Sequence, residues 1–145
     1  MDIFSPLQRI STGELFLIPH PGELASKIEE VISLNAMVNT TNGLNIEVME
    51  KLLCNDKKIT RLSYIYQAYN PQVKGGRSEN GTILRYDCSE HHPHLENFPH
   101  HKHVGGNKIV SNYSTTLQDF VEELEMLEQD GTLDRILSKH QNITD

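Results

Sequence analysis

Apolar and polar positions alternate through Leu44, Ile46 and Val48, with Asn45, Glu47 and Met49 between them, and Asn42-Gly43 stands just ahead as a turn signal. The period of two predicts a half-buried strand there. Asn55-Asp56-Lys57-Lys58 is a polar turn. After it Ile59 to Tyr69 is rich in β-branched and aromatic residues, predicting a second strand with Leu62, Tyr64, Tyr66 and Ala68 on one face and Arg61, Ser63 and Gln67 on the other. Thr82 to Cys88 and Lys108 to Val110 supply a third and a fourth. The Leu15 to Ile18 run is a candidate further short strand.

A different period marks the helices. From Glu23 to about Met37, Leu24, Ile28, Val31 and Ile32 recur at helical spacing with Lys27, Glu29 and Glu30 opposite, predicting an amphipathic helix. Thr115 followed by Gln118 has the form of a capping box, opening a helix with an apolar stripe of Leu117, Phe120, Val121, Leu124 and Leu127. Glu122, Glu123, Glu125 and Glu128 make its acidic side, read as a solvated face or a docking surface for a basic partner. Asp130-Gly131 ends it, and Leu133, Ile136 and Leu137 predict a short last helix. The fold class is therefore α+β, an antiparallel sheet of about four strands with helices packed on one face.

Composition narrows the partners. At 145 residues without a long apolar run, the chain is expected to form a single domain over residues 1–145. Asp2 and the lack of a basic lead into an apolar region predict no signal peptide and no membrane span, hence a cytoplasmic protein. Cys54 and Cys88 have neither the number nor the spacing of a disulfide framework or a cysteine zinc site. The net charge of −7 disfavours bulk nucleic-acid binding, but it is uneven: −5 over residues 1–50, +4 over 51–110 and −6 over 111–145. Lys57, Lys58, Lys74 and Arg77 lie in the basic section, as solvated turns or a phosphate rim.

Six of the eight histidines fall in that section between His91 and His103, in His-His-Pro-His-Leu-Glu-Asn-Phe-Pro-His-His-Lys-His. Pro93 and Pro99 exclude a helix and predict an ordered loop from His91 to Pro99. If the chain is extended after Pro99, His101 and His103 share one face and Lys102 takes the other.

Three chemistries fit these residues. Cleaving RNA through its own 2′-hydroxyl needs a base, an acid for the leaving 5′-oxygen and a cation for charge on phosphorus. By type, His92, His94, His100, His101 and His103 are acid/base candidates, Arg85 and Lys102 stabilise phosphate charge, and Tyr86 stacks on a base or donates a proton. Alternatively His92, His94, His101 and His103 converge on a divalent metal such as Zn, with Asp87 or Glu90 as an oxygen ligand. The third reading is a non-catalytic interaction module.

Arg85-Tyr86-Asp87, the His91 to Val104 segment and the strand and amphipathic helix after it resemble the TumE family of small toxins over roughly residues 80–128. The His-His-Pro…Phe-Pro-His-His-Lys-His segment is the specific part. Cys88-Ser89-Glu90 departs from the Asn-Ala-Pro-like turn expected in relatives. The resemblance implies the toxin of a type II toxin–antitoxin module, neutralised by a cognate helix-turn-helix antitoxin, and leaves a homodimer open. With the acid/base reading it leads to the expectation of a metal-independent endoribonuclease acting on RNA, the non-catalytic metal-binding or interaction module being the alternative.

Overall fold

The computed structural model describes residues 29–73, 80–106 and 108–144, the last three by backbone alone. Six strands form one antiparallel sheet in sequence order: β1 Glu30–Asn39, β2 Asn45–Cys54, β3 Ile59–Tyr69, β4 Thr82–Asp87, β5 His101–Val104 and β6 Lys108–Ser111. The α+β class and the antiparallel sheet agree with the sequence, but there are six strands, not four.

β1 is a correction. The described part of the expected Glu23 to Met37 helix is a strand, paired with β2 from Glu30 opposite Cys54 to Asn39 opposite Asn45. A second pattern overlaps the helical one: Ile32, Leu34, Ala36 and Val38 are the more buried positions and their neighbours are exposed. Asn42-Gly43, with Gly43 at φ +86°, turns the chain straight into β2, and an Asn-Gly turn between alternating runs is a strong hairpin signal. Ten residues of pairing outweigh a weak local propensity. Residues 15–18, 23–28 and 74–77 lie outside the described residues.

Two described helices follow, α1 Leu117–Gln129 and α2 Thr132–Thr144. The cap sits one residue later than the sequence indicated: Thr116 accepts from the Asp119 N–H and Asp119 reaches back to the Thr116 N–H. Leu117 opens the apolar stripe, so the residue just before it is the one that must satisfy the free amides. The stripe is the predicted one, with Phe120, Val121, Leu124 and Leu127 buried. It packs on Ile46, Val48, Tyr64, Tyr66, Ala68, Leu84 and Tyr86. Phe120 is fully buried, edge-on to Tyr86 at 5.2 Å and 6.0 Å from Tyr66. Burying such a ring stabilises the fold by about 1.5–3 kcal/mol. Tyr64, Tyr66 and Ala68 of β3 and Leu84 and Tyr86 of β4 thus face the helices.

One irregularity in β3 shifts this alternation. Ser63 pairs with Lys51 and Arg61 with Leu52, so Leu62 is an extra residue, a bulge. Leu62 is 51% exposed rather than packed with the tyrosines. Arg61 takes the tyrosine side, its guanidinium 4.2 Å from the Tyr64 ring and its Nη1 donating to the Tyr66 hydroxyl at 2.6 Å. Arg61 is thus on the opposite face from the one simple alternation assigns. Cys54 and Cys88 are free thiols. No helix among the described residues is long and apolar enough to cross a membrane.

Candidate functional site

The sheet register sorts the candidate residues. β4 and β5 pair so that Asp87 lies opposite His101, Arg85 opposite His103, and between them Tyr86 opposite Lys102. Side chains alternate along a strand, and Tyr86 packs on Phe120 of α1. Tyr86 and Lys102 therefore face the helices, whereas Arg85, Asp87, His101 and His103 face away. Adjacent residues of two short strands enter different chemistry.

On the far face the His91–Pro99 loop returns over the strands and adds a third imidazole. Ligand-capable nitrogens of His92, His101 and His103 all lie within 4.8 Å of one another. The His92 ring is 4.9 Å from that of His101 and 6.0 Å from that of His103, and His101 and His103 are 5.2 Å apart. His101 is buried, and its Nδ1 lies 3.0 Å from the Pro99 carbonyl oxygen. A carbonyl only accepts, so Nδ1 carries a proton and Nε2 is the atom at which the neutral ring has its lone pair. That atom lies 4.0 Å from Oδ2 of Asp87. His94 is exposed on the same loop, its ring 6.0 Å from that of His92.

The carboxylate is firmly held. Arg85 donates to Asp87 Oδ2 from Nε at 3.0 Å and Nη2 at 2.8 Å, and the Ser89 N–H donates to Oδ1 at 2.7 Å. Burial alone would raise the Asp87 pKa; the Ser89 N–H and the Arg85 charge outweigh it and hold the carboxyl below its ordinary value. Burial, then the His101 and Arg85 charges, bring His103 down to about 4. His92 is also lowered, by burial and then by His101 and His94. His92 and His103 are therefore neutral near pH 7, the form that accepts a proton or ligates a metal.

The helix-side candidates are engaged elsewhere. Lys102 Nζ donates to both oxygens of Glu123 on α1, at 2.9 and 3.0 Å, and the Tyr86 hydroxyl donates to the same carboxylate. Burial and the Glu123 hydrogen bond push the Tyr86 phenol far above its ordinary range, so it stays protonated. Glu123 is thus not on the solvated side of its helix. His100 stacks on Tyr64 at 5.8 Å, its Nδ1 2.8 Å from the tyrosine hydroxyl, in a group with Arg61. Burial, then Arg61 and His101, lower its pKa.

Of the expected site residues, then, the structure gathers His92, His101, His103 and Arg85, with His94 at the rim. It directs Tyr86, Lys102 and His100 to the other side. Among the candidate metal ligands, the close group is His92, His101 and His103; His94, Asp87 and Glu90 are outside it. Arg61 and Tyr64 flank His100, although the alternation in the sequence puts them on opposite faces. Only the Leu62 bulge brings Arg61 there, and no turn residue marks it.

No curated protein and no solved structure matches the chain. A family model described as Toxin TumE matches residues 19–128, which takes in the sheet, the histidine loop and nearly all of α1. That span exceeds the stretch carrying the resemblance in the sequence and covers most of the chain, so the chain belongs to the TumE toxin family.

Proposed function

We propose that this toxin is an endoribonuclease whose reaction centre is the imidazole group on the far face of β4 and β5. The observation that carries the reading is the convergence of His92, His101 and His103 beside Arg85. Attack by a ribose 2′-hydroxyl needs a base where that proton leaves, and the cluster offers nitrogen lone pairs there. Arg85 supplies the cation. Its Nε and Nη2 are used by Asp87, and the Nη1 edge is left for a phosphate oxygen. His94, exposed on the same loop, supplies the proton for the leaving 5′-oxygen. Lys102 and Tyr86 drop out of the reaction because Glu123 holds both on the helix side. A cognate antitoxin of helix-turn-helix type keeps the activity in check.

The test is cleavage of total RNA and of ribosome-bound message by the purified chain, beside His92→Ala and Lys102→Ala. The reading expects His92→Ala to lose roughly 10²-fold or more in rate, the scale of acid–base catalysis, and Lys102→Ala to stay within a few-fold of the parent. Absence of cleavage of either RNA by the folded parent protein would overturn it.

A further inference from the structure

We propose that His92, His101 and His103 form a binding site for one divalent transition-metal ion, of which Zn²⁺ is the representative. A tetrahedral ion with Zn–N bonds of about 2.0–2.1 Å spaces its ligand atoms roughly 3.4 Å apart. The three imidazoles already present nitrogens within 4.8 Å of one another, so contraction by at most roughly 1.4 Å completes the set. His92 is on a loop and can supply that movement by side-chain rotation, while His101 and His103 are fixed by the β4–β5 pairing.

The second observation concerns His101. Its Nδ1 proton goes to the Pro99 carbonyl, the outer contact that orients a metal-ligating imidazole and leaves Nε2 bare. Nε2 then points its lone pair into a region where the buried Asp87 carboxylate is 4.0 Å away. Arg85 already neutralises that carboxylate, which leaves it as an acceptor beside a cation held by the imidazoles. The Asp87 oxygens are oriented by Arg85 and Ser89, which fits a neighbouring carboxylate better than a first ligand.

Three nitrogen donors select against Mg²⁺ and Ca²⁺, which take oxygen, and suit Zn²⁺, Co²⁺, Ni²⁺ or Cu²⁺. Three protein ligands leave a fourth position for water, as in catalytic rather than structural zinc sites. With an ion bound the imidazole lone pairs would be taken, and an acidified water on the ion would replace them as the base of the centre proposed above. The binding itself does not depend on that reading.

The experiment uses the untagged full chain, stripped with chelator, desalted and titrated with Co²⁺ near neutral pH while visible d–d absorption is recorded. One equivalent should bind and be displaced by Zn²⁺. His92→Ala, a loop change with the fold checked by circular dichroism, should weaken Co²⁺ by more than the roughly 10–100-fold that outer-shell partners cost. His103→Ala should do the same, and His91→Ala, outside the close group, should not. Failure of the folded parent to bind Co²⁺ stoichiometrically, or unchanged binding in both His92→Ala and His103→Ala, overturns the proposal. No RNA enters the readout, so it is separable from the test for ribonuclease activity.

Discussion

The two faces of β4 and β5 are built from neighbouring residues and do opposite things with charge. On the helix face Lys102 meets Glu123 within 3.0 Å and the Tyr86 hydroxyl joins them, at the edge of a core centred on Phe120. These three polar groups satisfy one another. On the far face three imidazoles crowd together, with Asp87 committed to Arg85 and the Ser89 amide. One face settles its charges in stabilising pairs; the other gathers three imidazoles beside an ion pair. The pleat of the sheet thus separates the packed ion pair from the imidazole cluster.

The sharpest way to break that comparison is to damage the helix face. Phe120→Ala should cost about 3–5 kcal/mol, because a fully buried ring leaves a cavity the sheet cannot close. Urea denaturation would read it. Under conditions where the variant is folded, Co²⁺ binding should be close to that of the parent; loss of binding by the folded protein would show that the faces are coupled.

Damage to the far face should have the converse effect. His92→Ala removes a loop side chain, so its stability should lie within roughly 0.5 kcal/mol of the parent, while RNA cleavage and metal affinity fall. Asp87→Asn should do both kinds of harm: it leaves Arg85 without its anion and His101 without its neighbour, at about 1–3 kcal/mol in the same denaturation assay. A neutral outcome for Asp87→Asn would show that the pair is not a structural element.

Smaller still is the Lys102–Glu123 pair, whose side chains are 25% and 20% exposed. A double-mutant cycle should return a coupling of roughly 0.2–1 kcal/mol. A coupling of several kcal/mol would make the pair part of the core rather than its edge.

The smallest effect is a pH dependence remote from both regions. Burial lowers the pKa of His140 on α2 below its ordinary value of 6.5. The unfolded chain therefore takes up this proton first as pH falls. Its contribution is complete above about 6.5 and is lost as pH drops through the lowered folded value. Urea midpoints at pH 7.5, 6.5 and 5.5 should fall more steeply for the parent than for His140→Gln. Equal slopes would mean that the ring is accessible in the folded state.

Much of the architecture was legible locally. The strands around Ile46, Tyr66 and Leu84, the α1 stripe and the loop between Pro93 and Pro99 follow from period and from proline geometry. β1 was misread because Val31 and Ile32 fit a helical stripe while Ile32, Leu34, Ala36 and Val38 fit a strand, and only pairing with β2 chooses between them. The faces of His101 and His103 against Lys102 were readable from the period of two. The arrival of His92 was not, since a loop residue has no periodicity to place it.

By itself, then, the sequence determined an antiparallel α+β fold, the histidine-rich loop and the TumE toxin family. Only the tertiary structure decided which histidines meet. Register sets Asp87 against His101 and Arg85 against His103, a bulge carries Arg61 to Tyr64, and loop return brings in His92. Each depends on contacts between residues distant in the chain, whose free energy is realised on folding and leaves no local pattern to read.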